Sequence, residues 1–240
     1  MDRHHRVVYA LATGSLGDML HTDSLVSVLY SAGKVFDNLR SGRLATEAFL
    51  RSGETAGIAS RADLQLLEDL KAAGHLVAQT KRDEATLTAD LVCEINAAMT
   101  RSAALHPGQL RTDEQRIGVR TTYGNHMPPA VSMDGLRVIV EKYRSAQNRE
   151  GAARLFVELA KAQPFEDGNK RTALLAANVL LPGDATLVVP FDAEGPGDVE
   201  ARFHDLLARA TSSMRPSPLC DTCASGWSPR RCSLSSITWQ

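Results

Sequence analysis

One run of ten residues, Gln163-Pro164-Phe165-Glu166-Asp167-Gly168-Asn169-Lys170-Arg171-Thr172, packs two carboxylates, a glycine, two amides and two cations into a short space. Such a set suits an anion, and in particular a polyphosphate. Lys170 supplies a point charge and Arg171 a planar fork of donors that matches phosphate oxygens. Asp167 is a hard oxygen ligand able to hold Mg²⁺ against the same phosphates. Before this run Ala152, Ala153, Leu155, Phe156, Leu159 and Ala160 recur at helical spacing, and after it Leu174, Leu175, Ala177, Asn178, Leu180 and Leu181 do the same. The ten residues are therefore the hinge between two helices. Pro164 disfavours the helical region for its predecessor, so Gln163 is expected at the end of the first helix. The polar run then opens the second helix, whose first-turn N–H groups and positive dipole end face the loop, with Gly168 allowing close approach to the backbone. A nucleoside triphosphate with Mg²⁺ is the expected guest.

The run resembles the signature of the Fic/Doc family, H-P-F-x-[DE]-G-N-[GK]-R-T, at every position but the first. The resemblance implies that Phe165 anchors the loop in the core, Asp167 binds Mg²⁺, Gly168 and Asn169 hold phosphate through the backbone, and Arg171 holds the terminal phosphates. It also implies that Gln163 stands where the family has the histidine that takes a proton from a target hydroxyl. A carboxamide has no nitrogen that titrates near neutral pH, so Gln163 can hydrogen-bond a hydroxyl or a phosphate but cannot act as a general base. A second departure is Lys170 with Leu174, where nucleotidyl-transferring members carry a small Gly and a second Arg. Lys170 resembles the Doc branch, in which a phosphoryl group rather than AMP is moved.

The elements that must position this run are mostly helical. Thr22-Asp23-Ser24 reads as a helix start, followed by one apolar face through Leu25, Val28, Leu29, Ala32, Val35, Phe36 and Leu39. Residues 51–59 are too rich in small side chains to read as helix. Ser52 to Gly57 can be laid on the [ST]-x-x-x-E-[GN] pattern of the family's inhibitory helix, with Ala56 at the Glu position and Leu174 in place of the Arg it would meet, which implies that the usual brake is missing. Ser60-Arg61-Ala62-Asp63 opens an amphipathic helix through Leu64, Leu67, Leu70, Ala73 and Val77. A further helix carries Leu91, Val92, Ile95 and Met99 and ends before the turn Leu105-His106-Pro107-Gly108.

Residues 111–130 are polar and punctuated by Gly and Pro, with short β-like character. In the family this position holds a β-hairpin flap over the active site, which places Tyr123, Asn125 and His126 on or near it and makes His126 a candidate substitute base. Ser132 then caps a helix through Leu136, Ile139, Val140 and Tyr143, and a helix from about Glu150 leads into the signature. Leu187-Val188-Val189-Pro190 is a brief extended piece, and Val199, Phe203, Leu206, Leu207 and Ala210 form the last amphipathic run.

The expected fold is all-α: a Fic-like helical bundle with a short β-hairpin flap, spanning 21–211, after an N-terminal segment 1–20 and before a tail, 212–240, without periodicity. The 240 residues allow ample core, and 27 Lys and Arg against 28 Asp and Glu give no field that would select nucleic acid or an anionic membrane. No apolar run approaches the roughly 18 residues a membrane span requires, and the first residues make a poor signal peptide, so a cytoplasmic protein is expected. Of four cysteines, Cys93 falls on a helix as a small hydrophobe, while Cys220, Cys223 and Cys232 lie in the tail with no nearer fourth ligand than His204.

Three functions fit this reading. One is a transferase that moves AMP or another nucleotide fragment from Mg·ATP to a hydroxyl of a protein or small molecule, with Gln163 positioning the acceptor. Another is a Doc-like phosphotransferase, favoured by Lys170 and Leu174. The third is a nucleotide-binding member without catalysis, favoured by Gln163. A helical interaction module outside the family is the remaining class.

Overall fold

The computed structural model describes residues 16–102, 105–192 and 198–212. Eight helices and one hairpin follow in order: α1 (Leu16–Asp37), α2 (Arg43–Ser52), α3 (Arg61–Arg82), α4 (Ala89–Ala97), β1 (Val119–Thr121), β2 (Gly124–His126), α5 (Met133–Arg144), α6 (Arg149–Ala162), α7 (Asn169–Val179) and α8 (Asp198–Ser212). Among the described residues the fold is all-α apart from a two-stranded antiparallel sheet in which Val119 faces His126 and Thr121 faces Gly124. Among the described residues no helix is long and apolar enough to cross a membrane.

The helix after the signature is the axis of the bundle. α7 packs against α6, α4, α3 and α1, and Leu174, Leu175, Ala176 and Ala177 are all fully buried. Its alanines let neighbouring backbones come close, while its leucines fill the gaps between them. Asn178 is equally buried and is fully bonded: its Nδ2 donates to the carbonyls of Leu174 and Leu187, and its Oδ1 accepts from the Leu187 N–H. A buried amide is tolerated only when paired in this way. The stretch Leu187–Pro190 predicted as extended is thus held by a side-chain amide, and no ladder forms there among the described residues.

Local signals explain several boundaries. Ser60 caps α3 by accepting from the Asp63 N–H, and Ser132 caps α5 by accepting from the Gly135 N–H. Other boundaries differ from expectation. α1 begins at Leu16 rather than at Thr22-Asp23-Ser24 and ends at Asp37, two residues before Leu39. Cap residues are a preference, and the i to i−4 ladder can run straight through them once the helix is supported by packing. The periodicity also passed over α2, which Gly53 ends in the left-handed region at φ 80°. Residues 52–57 are all exposed, and the Ser52 hydroxyl donates to its own helix at Ala48, so the stretch aligned with an inhibitory helix is the end of α2 and a surface loop. The predictions for residues 1–15 and for the tail, including Cys220, Cys223 and Cys232, lie outside the described residues.

α8 is fastened to the bundle by aromatic contacts. The Phe203 ring lies 6.4 Å from Phe36 of α1 and 6.3 Å from Phe156 of α6, centroid to centroid. That triad sets the last helix across the signature end of α6.

Candidate active site

The hinge forms where the sequence puts it. α6 ends at Ala162, and Gln163 caps it in the left-handed conformation, φ 47° and ψ 56°, with its N–H donating to Leu159. A non-glycine residue there carries some strain, and it is held by its surroundings. The buried Arg111 donates from Nε to the Gln163 carbonyl at 2.6 Å and from Nη2 to the carbonyls of Pro128 and Pro129 at 2.8 and 3.0 Å. One guanidinium thereby locks the signature to the base of the flap. Leu110 bridges Phe165 and the Arg111 N–H donates to the Pro164 carbonyl, so residues 110–111 line the loop like a short strand.

Inside the loop, Asn169 brackets Phe165. Its Oδ1 accepts from the Phe165 N–H and its Nδ2 donates to the Phe165 carbonyl, both at 2.9 Å, while the Phe165 ring is fully buried. Asn96 of α4 supports the other side, donating to the Asp167 carbonyl and the Thr172 hydroxyl and accepting from the Gly108 N–H. Gly168 then sits at φ 71° as the N-cap of α7 with no side-chain cap. A Cβ at this position would come within 3.1 Å of the Asn96 amide and 3.3 Å of Met99, in addition to the φ penalty, so glycine is demanded from two directions. No side chain caps α7, and uncapped first-turn amides are the kind of donors that suit an anion.

The charged residues divide between two faces. Arg171 is almost fully buried: Nη1 donates to the Ser102 hydroxyl at 2.9 Å, Nε lies 3.3 Å from Asp37, and Nη2 lies 3.9 Å from Asp167. Ser102 is itself placed by the buried Asp69, which accepts from its N–H and its hydroxyl. Burial raises the Asp37 pKa above the usual carboxylate range, with Arg171 opposing and Asp167 adding to the shift. Asp37 escaped the sequence reading, since nothing in its own neighbourhood marks it as a partner of the signature. Asn96 did leave a signal, as a polar residue on the apolar face of a helix.

Asp167 keeps 57% of its side chain exposed, with Oδ1 accepting from the Gly168 N–H at 2.6 Å. Among the described residues no group of three or more His, Cys, Asp or Glu could hold a metal. Asp167 alone fits Mg²⁺, which commonly takes one or two carboxylates and completes its shell with phosphate oxygens and water.

On the other face is a cavity of about 330 Å³. Its walls are Ala160, Gln163 and Lys170 from the signature region, Val119 to Thr122 and His126 from the flap, and the inner side of α8, including Ala201, His204 and Ala208. Gln163 Nε2 donates to the Ala160 carbonyl, which leaves the amide oxygen as its free acceptor. The His126 Nε2 lies 2.7 Å from the Lys161 carbonyl. A carbonyl can only accept, so Nε2 carries the proton and the lone pair of the neutral ring is on Nδ1. Lys170 is half-buried with its Nζ 5.7 Å from the Phe36 ring centre, and burial lowers its pKa while Asp37 opposes. His204 is likewise pushed down by burial and then by Lys170, with Glu200 opposing. The structure thus brings Gln163, Lys170 and His126 to one cavity and turns Arg171 and Asp167 away from it, with the N-terminus of α7 between the two faces. His204 lines this cavity and lies 3.6 Å from Glu200.

One stability prediction follows from Lys170. A lowered folded-state pKa means that its charged form disfavours folding at neutral pH, and the penalty vanishes as pH rises past the unfolded lysine value of ~10.4. Lys170→Met is expected to raise the melting temperature at pH 7 by a few degrees, and the gain should shrink as melts are repeated toward pH 10.

Residues 86–181 match the Fic/DOC family. No curated protein matches the chain by sequence. Among solved structures, a Fic domain containing signaling protein from Bacteroides thetaiotaomicron is similar with a TM-score of 0.51 and 21% identity, over 85% of this chain and 78% of that one. Fic-1 (residues 134–508) from C. elegans is similar with a TM-score of 0.52 and 18% identity, over 88% of this chain and 68% of that one. The hinge, the flap and the surrounding helices are therefore those of a Fic fold, and the Fic/DOC match over residues 86–181 puts Gln163 at the position of the signature histidine.

Proposed function

We propose that the chain is a Mg·ATP-dependent transferase that moves AMP, or another phosphate-bearing fragment of the nucleotide, onto a hydroxyl. The observation that carries this reading is the uncapped N-terminus of α7, behind the left-handed Gly168, whose first-turn residue Lys170 lines the cavity shared by Gln163 and His126. The triphosphate would lie on the α7 amides with Asn169, Lys170 and Arg171 around it and Phe165 fixing the loop from below. Mg²⁺ held by Asp167 would neutralise phosphate charge.

In the transfer the acceptor oxygen forms a new bond to phosphorus while a P–O bond of the triphosphate breaks, and pyrophosphate leaves if AMP is moved. Gln163 Oε1 orients the acceptor hydroxyl, and its proton passes to His126 Nδ1. A positioned base of this kind contributes a factor of roughly 10² to 10⁴. Lys170 and Leu174 favour a second reading, phosphoryl transfer with ADP as leaving group, because at these positions the chain resembles the Doc branch.

Calorimetry with Mg·ATP, Mg·ADP and AMP tests the cradle. Binding below millimolar concentration is expected, weakened at least tenfold by Arg171→Ala, and weakened by Asp167→Asn only when Mg²⁺ is present. ATP labelled separately at the α- and γ-phosphates then distinguishes the two transfers, and His126→Ala should lower either by the factor above. Absence of binding by all three nucleotides would remove the reading.

A further inference from the structure

The wall formed by α8 lies outside the family-matched segment, and it changes what the cavity can admit. α8 crosses the signature end of α6, anchored by Phe203, and presents Ala201, Leu207 and Ala208 to the cavity opposite Val119 and Ala160. The flap tip is tied to this helix: the Tyr123 hydroxyl bonds Asp205 and accepts from Arg209 Nε at 2.6 Å, Arg209 pairs with Asp205 at 3.0 Å, and the guanidinium lies 5.4 Å from the Tyr123 ring centre. Flap and α8 are therefore opposite walls of one pocket. A polypeptide laid along the flap from this side would have to displace the helix.

What remains is about 330 Å³, within the range of small-molecule pockets of roughly 300–1,000 Å³. On the α8 side Ala201, Leu207 and Ala208 line it together with His204, Asp205 and Thr211, and Gln163 and His126 line it as well, each with one polar end bonded to a backbone carbonyl and an acceptor left over, Oε1 and Nδ1. Acceptors held in this way select a donor. Asp205, the carboxylate in the wall, is already engaged by Tyr123 and Arg209.

We infer that this cavity takes a small molecule with an apolar body and a hydroxyl group, and that this molecule, not a protein segment, is the acceptor. Its role as acceptor rests on the transferase reading, whereas the occupancy of the cavity does not.

The probe is 4-fluorobenzyl alcohol, followed by ¹⁹F NMR on the full chain, with 4-fluorotoluene as the partner lacking a donor. Saturable binding of the alcohol in the millimolar range is expected, with the toluene at least fivefold weaker. Ala208→Phe and, independently, Ala201→Leu should each weaken the alcohol at least tenfold by filling the apolar wall, while their thermal melts and their Mg·ADP binding stay close to those of the parent. Two substitutions guard against one that simply unfolds α8. Equal binding of alcohol and toluene, or binding that neither filled variant weakens, would overturn the pocket assignment. Label from ATP that appears only in protein and is unchanged by both filled variants would overturn the small-molecule acceptor. Alcohol binding that is blocked by the filled variants in a protein that binds no nucleotide would support the pocket while removing the transferase reading.

Discussion

In a His126→Ala background, Gln163→His is expected to raise transfer from Mg·ATP by roughly 10²- to 10⁴-fold, the contribution of a positioned general base. The backbone at 163 is left-handed, φ 47° and ψ 56°, a region in which histidine is among the better-tolerated non-glycine residues. Arg111 fixes the carbonyl of this residue regardless of its side chain, so the new ring should enter the same cavity without moving the loop. In the parent, where the introduced imidazole competes with the flap base instead of replacing it, the rise should be smaller. Intact-mass measurement after incubation with Mg·ATP and a hydroxyl acceptor reads the outcome, a gain of an adenylyl or a phosphoryl mass marking which group moves. A flat or lowered rate would show that the carboxamide of Gln163 holds the substrate in a way an imidazole cannot reproduce, since Gln presents a fixed donor and acceptor pair.

Phe165→Ala should be the most damaging single change to stability at the site. The ring is fully buried between the signature loop and the Leu110 bridge, and emptying such a position costs about 3–5 kcal/mol. For a domain of this size that corresponds to a fall of roughly 6–20 °C in melting temperature. Phe165→Leu should recover a large part of it by refilling the volume. Because Asn169 brackets the Phe165 backbone and also begins α7, loosening this residue is expected to loosen the first-turn amides too, and nucleotide affinity should fall with stability. A melt within 2 °C of the parent would mean that the loop is held by Arg111, Asn96 and Asn169 without its apolar anchor; the threshold is roughly what a change of 1 kcal/mol or less produces.

By itself the sequence determined the hinge at Gln163, the serine caps at 60 and 132, the β-like character between 111 and 130, and the family resemblance, which implied a hairpin there. Each of these is local: a proline restricts the residue before it, a hydroxyl captures an N–H three residues on, and apolar periodicity reports which face of one helix is buried. The helix limits near 22, 37 and 52 were less legible, because packing lets a helix run through cap residues or form where periodicity is weak.

Only the tertiary structure decided who partners the site. Asp37 meets Arg171, Arg111 joins the Gln163 carbonyl to the flap, and α8 closes the cavity that the signature opens. The members of each of these sets are far apart in the chain. Their types fit many surface roles equally well, and a charge or amide acquires its function from the burial and neighbours that folding gives it, which no window of a few turns contains.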